Sequence, residues 1–151
     1  MSRTSYLEVE PLGGPHYQGE FWPLTHDDLV AIQAILGWGL PPDYRDFATQ
    51  FGICRPKELC EVRLLSDESE DPDFSVFYGS HVERAYSLRN WADVFVEPHR
   101  LLAFANATNG LFFMAPDGTI SFERSGYIRL YEAAESFADF LARLHPQVES
   151  D

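Results

Sequence analysis

His81-Val82-Glu83 is the one short motif in the chain with a defined chemistry. A metal-binding histidine followed one residue later by a proton-carrying glutamate opens the signature of zinc deaminases, which is completed by a later Pro-Cys-x-x-Cys. No such segment follows. The only cysteines, Cys54 and Cys60, lie upstream with five residues between them, a spacing outside the usual zinc patterns. His16, His26, His99 and His145 are scattered, and no Gly-x-Ser-x-Gly elbow sets a serine beside a base. Gly13-Gly14 and Gly37-Trp38-Gly39 lack the lysine and the helix-opening position of a phosphate loop, and read as a turn and a helix stop. Carboxylates near one another at Glu70-Asp71 and at Asp43 and Asp46 could move protons only in a cleft that perturbs their pKa values. They fall in an acidic loop and on the polar side of a helix, where solvated charge is the plain reading. The sequence predicts no catalytic residue, no metal and no cofactor.

Charge is the stronger signal. There are 24 acidic and 11 basic residues, a net charge of −13. Such a chain repels nucleic acid, whose binding rests on lysine and arginine, and attracts a basic protein. The acids concentrate in SDESEDPD, residues 66 to 73, where five carboxylates, a proline and no base predict a solvated loop. Asp67, Glu68, Glu70, Asp71 and Asp73, with Glu58 and Glu61 nearby in sequence, are the candidate partner-binding residues.

These residues need a scaffold, and the composition supplies one. A hydrophobic fraction of 45% with 15% aromatics suits a packed core, while no apolar run approaches the ~20 residues that span a bilayer. The first residues lack a basic patch leading into an apolar stretch, so a cytoplasmic protein with two free thiols is expected, without a membrane partner. Residues 1 to 24, punctuated by proline and glycine, are expected to form a partly ordered arm carrying Tyr17, Phe21 and Trp22. Residues 25 to 146 are expected to form a single domain and 147 to 151 a tail; the oligomeric state is left open.

Thr25 caps a predicted helix through Leu36, with Asp28 three residues on. LPPDYRDFATQFG, residues 40 to 52, is a second, with prolines at its start, Tyr44, Phe47, Ala48 and Phe51 on one face, and Gly52 free to turn left-handed at its end. Strands are expected at 58–65, 74–78, 101–105, 111–115, 119–123 and 127–131, with a short helix between His81 and Val94. Pro116-Asp117-Gly118 reads as a hairpin turn. Ser136 opens a last helix through Phe137, Phe140, Leu141 and Leu144 that stops before Pro146. Early helices, central strands and a closing helix predict an α+β domain with a largely antiparallel sheet.

Three segments, in order, resemble the SUKH superfamily of cell-wall regulators and bacterial immunity proteins. They are the helix at 40–52, the strand-and-hairpin stretch LLAFANATNGLFFMAPDGTISF at 101–122, and the helix AAESFADFLARL at 133–144. Leu40, Pro41, Tyr44, Phe47, Gly52, Gly110, Asp117, Gly118 and Phe137 carry the resemblance. Where that family often has Asn-Gly-Gly after the first motif, this chain has Phe51-Gly52-Ile53-Cys54. The resemblance implies an α+β domain with an antiparallel or mixed curved sheet, no catalysis, and a protein partner: typically a toxin, often a basic nuclease whose substrate phosphates an acidic inhibitor would imitate. A regulatory interaction module without a toxin, docking through its sheet and its aromatic arm, is the alternative.

Overall fold

The computed structural model describes residues 8–13, 18–66, 70–80, 87–92, 101–124 and 130–146. In chain order they form β1 (Val9–Glu10), α1 (His26–Leu36), α2 (Pro42–Gln50), β2 (Arg55–Pro56), β3 (Cys60–Val62), β4 (Phe74–Phe77), α3 (Leu88–Trp91), β5 (Leu102–Ala107), β6 (Gly110–Met114), β7 (Ile120–Arg124), β8 (Leu130–Ala134), α4 (Phe137–Ala142) and β9 (Leu144–Pro146). Strands β4 to β8 make one antiparallel five-stranded sheet in sequence order, while β1 pairs with β2 and β3 with β9. The domain is α+β, as the element order implies.

Local chemistry accounts for most of these boundaries. The Thr25 hydroxyl accepts from the Asp28 N–H at 3.1 Å and the Asp28 carboxylate accepts from the Thr25 N–H at 3.0 Å, so α1 opens with a reciprocal capping box. Pro41 and Pro42 lead into α2, whose Tyr44 and Ala48 are buried while Phe47 and Phe51 are half-buried against the same core. At the β6–β7 hairpin Gly118 takes φ 92°, and Asp117 Oδ1 accepts from the Thr119 N–H and hydroxyl at 3.1 and 2.7 Å.

The core is an aromatic layer between the sheet and helices α2 and α4. Tyr44 meets Phe104 and Phe137 edge-on at 5.5 and 5.0 Å, Phe47 lies 4.7 Å from Phe77, and Phe140 stands edge-on to Phe112 at 5.1 Å. Burying each such side chain contributes ~1.5 to 3 kcal/mol, and the edge-to-face pairs add to that. Asp43, expected on the solvent side of α2, instead accepts from the Ala138 N–H at 3.0 Å. It caps α4 from a neighbouring helix, beside Ser136, which accepts from the Asp139 N–H at 3.0 Å.

Several expected boundaries are corrected. The last helix stops at Ala142 rather than running toward Pro146; Leu144 and His145 turn extended and pair with β3, and Pro146 ends that strand, where a missing donor is tolerated. The strand expected over 58–65 is only Cys60–Val62. Beyond it the Leu65 and Ser66 N–H groups donate to Ala133 and Glu132 at 3.2 and 2.9 Å, covering part of the outer edge of β8. The strand expected at 127–131 is Leu130–Ala134, with 127–129 outside the described residues. Of the helix expected between His81 and Val94, Leu88–Trp91 is helical, and 81–86, 93 and 94 lie outside the described residues. On the sheet's other side, Cys54 and Phe77 exchange backbone hydrogen bonds at 2.9 and 3.4 Å, so both sheet edges are partly occupied from within the chain.

Asp28 links three of these pieces. It is 3% exposed, accepts from the Ser80 hydroxyl at 2.8 Å and pairs with Arg89 of α3 at 2.8 Å. Burial alone would raise its pKa, but the hydrogen bonds from Thr25, Ser80 and Arg89 outweigh it and hold the carboxyl below the usual range. The stability this provides is present above the carboxyl's unfolded pKa, ~3.9, and is lost as pH falls through the lower folded value. Asp28→Asn is therefore expected to unfold more easily at pH 7, by ~1 to 3 kcal/mol, yet to lose less further stability between pH 5 and 2 than the parent in acid titrations followed by circular dichroism. Tyr44 gives the opposite expectation. It is 1% exposed and its hydroxyl has no hydrogen-bond partner among the described residues. Removing an unpaired buried hydroxyl relieves a penalty of ~1 kcal/mol, so Tyr44→Phe should raise Tm by ~2 to 4 °C in a thermal melt.

Candidate protein-binding surface

Two short stretches, 58–66 and 70–73, are drawn together by backbone pairing. The Val62 N–H donates to Pro72 at 2.9 Å, and Glu61 stands opposite Asp73 in an isolated bridge. Asp71 Oδ1 accepts from the Leu64 N–H at 3.1 Å, and Arg124 donates to the Glu70 carbonyl at 2.7 Å. Glu61, Glu70, Asp71 and Asp73 therefore share one lobe beside the β3–β9 ladder, and Glu58 lies on the loop that enters it. Asp67 and Glu68 are outside the described residues.

Over the stretch expected to be a solvated loop, residues 66 to 73, the described acids Glu70, Asp71 and Asp73 are exposed, and the loop is anchored between them. Pro72 is buried, Asp73 takes part in the bridge to Glu61, and Asp71 is engaged with the backbone. Bases are interleaved with the acids. Arg55 pairs with Glu10 at 2.8 Å, Lys57 with Glu8 at 3.3 Å, and Arg143 with Asp139 at 2.9 Å. Burial would raise the Asp139 carboxyl, but Arg143 and the Glu135 N–H lower it overall. His145 sits across the ladder from Glu61, its Nε2 4.0 Å from the carboxylate.

Apolar side chains complete the surface. Leu59, at the turn into β3, is 77% exposed, and Leu65, where the lobe meets β8, is 41% exposed. Neither was distinguished by the sequence pattern, which places both inside a half-exposed strand. Clefts flank the loop on both sides. One, of about 510 Å³, lies between residues 56–63 and 141–146 and includes Lys57, Arg63, Cys60 and His145. The other, of about 470 Å³, lies against β4 and includes Leu12, Glu58, Leu59 and Asp73.

Among the described residues, those weighed for chemistry do not come together. His81 and Glu83 lie outside the described residues, and among those described no three His, Cys, Asp or Glu side chains are grouped to hold a metal ion. Cys54 and Cys60 are free and buried; burial pushes both thiols up, with Glu58 adding to the effect at Cys60, so both are protonated at neutral pH. The motif residues serve the framework. Leu40, Tyr44 and Phe137 are core, Phe47 packs on it, Pro41 precedes α2, and Gly110 begins β6 opposite Arg124.

A mixed-charge, partly apolar lobe is thus mounted on an aromatic α+β core. The profile of the SMI1 / KNR4 family (SUKH-1) matches residues 23–143, and the chain belongs to that family. Its members generally serve as immunity or regulatory proteins rather than enzymes. No curated protein and no solved structure matches the chain. No described helix is long and apolar enough to cross a membrane.

The geometry separates the acids that hold the lobe from those that only face outward. Asp71→Ala removes the acceptor for the Leu64 N–H and is expected to cost ~1 kcal/mol of unfolding free energy. Glu58→Ala, at an exposed site, should change stability by less than ~0.5 kcal/mol. Urea unfolding of the two variants checks the difference.

Proposed function

We propose that the chain is a non-catalytic immunity protein that acts in the cytoplasm by covering a cognate protein toxin with the surface formed by Glu58, Glu61, Asp67, Glu68, Glu70, Asp71 and Asp73. The observation that carries this reading is the meeting of Glu61, Glu70 and Asp73 on one lobe with the exposed Leu59 and Leu65, in a chain of net charge −13. Carboxylates around an apolar anchor suit a basic protein: the charges steer the encounter and the leucines supply buried area. A nuclease is the toxin class that this charge fits best, since the surface that grips phosphate is cationic. Nucleic acid itself is not the ligand in this reading, and no cofactor is involved.

Regulation without a toxin is supported less well. Its aromatic docking arm is partly spent within the chain, as Phe21 meets Phe51 edge-on at 5.5 Å and Trp22 bridges to Gly52 and Ile53.

A toxin encoded beside this gene provides the test. Replacing Glu58, Glu61 and Asp73 by lysine should slow its association several-fold at low ionic strength, with the difference shrinking as salt rises. Stopped-flow rates that are the same for parent and variant would overturn the acidic surface as the binding face.

A further inference from the structure

We infer that the groove between residues 55–59 and the first half of β4 seats a short extended segment of a protein partner, one that sets an apolar side chain beside a lysine or arginine. The inference rests on the protein-binding reading above and narrows it to one groove and one chemistry. The groove encloses about 470 Å³; Leu12, Leu59, Phe74 and Val76 provide its apolar lining, and Glu58, Asp73, Ser75 and Thr108 its polar groups. Leu59 is the most exposed of the large hydrophobic residues described, at 77%.

The chain on either side of that leucine is tied down. The Lys57 N–H donates to the Glu8 carbonyl at 2.9 Å, the Lys57 and Arg55 side chains pair with Glu8 and Glu10, and the Cys60 thiol donates to the Glu58 carbonyl at 3.4 Å. A loop tied on both sides of an exposed leucine pays little ordering entropy on binding, which is what a preorganised anchor requires. Charge then selects the occupant. Arg55 is matched by Glu10, and Glu58 brings an exposed carboxylate to the groove, so a cationic segment is favoured over an acidic one. β4 borders the groove from Phe74 to Val76, between the points where Glu61 meets Asp73 and Cys54 meets Phe77, so strand residues form one wall along which extended backbone can lie.

Random heptapeptides displayed on phage, panned against the full chain, test this directly. The parent is expected to enrich peptides with Lys or Arg adjacent to Leu, Ile, Val or Phe. Synthetic copies should bind Leu59→Ser and the Glu58→Lys, Asp73→Lys double variant at least ten-fold more weakly by fluorescence anisotropy, with unchanged thermal melts showing that both variants fold. No enrichment, enrichment of acidic peptides, or equal binding by parent and Leu59→Ser would each overturn the inference. So would a concentration-dependent dimer in sedimentation that Leu59→Ser abolishes while no peptide is selected, since the groove would then belong to a second copy of the chain. A toxin neutralised equally by parent and Leu59→Ser would overturn the groove and leave the immunity reading standing.

Discussion

Three stretches of backbone meet at Trp22, Gly52 and Gly79, and the surrounding structure depends on how closely they approach. The Trp22 carbonyl accepts from the Ile53 and Ser80 N–H groups at 3.3 and 3.0 Å. A Cβ on Gly52 would overlap that carbonyl, and one on Gly79 would lie 2.6 Å from it. Gly52 also has φ 69°, so it is needed both for the left-handed turn that ends α2 and for the space its missing side chain leaves. From this crossing the chain runs through Cys54, which pairs with Phe77, into β2 and on to the loop bearing Glu58 and Leu59. The position of the candidate binding loop is thus set by the residue that closes the family's helix.

The aromatic layer makes that placement rigid. Tyr44, Phe47, Phe137 and Phe140 pack α2 and α4 against Phe77, Phe104 and Phe112 of the sheet, and Asp43 fixes one helix to the start of the other. A surface on such a core can present charges and leucines in a constant arrangement, which lowers the ordering cost of binding. The interleaved Arg55 and Lys57 do not cancel the acidic character. They tie the loop to Glu10 and Glu8, and the chain as a whole keeps its excess of carboxylates.

Features governed by neighbours in sequence were legible from sequence. The Thr25 and Asp28 capping box, the aromatic face of α2 and the Asp117-Gly118 turn each depend on residues within a few positions of one another. Features governed by distant partners were not. Asp43 reads as a solvent-facing acid because Ala138 is far along the chain, and Leu144 to Pro146 read as the end of a helix because their strand partner is at residues 60 to 62. The candidate surface divides in the same way. The acids of 66–73 are visible as composition, whereas the pairing of 61–62 with 72–73, the use of Asp71 by Leu64 and the exposure of Leu59 arise only from tertiary packing.

We propose that this domain protects by binding a toxin. Co-expressing the chain in a sensitive bacterium with the toxin encoded beside its gene, and following growth together with co-purification, tests it most directly. Restored growth and a stable complex of the two proteins are expected. Continued killing by a toxin that is expressed alongside the folded chain, with no complex recovered, would contradict it.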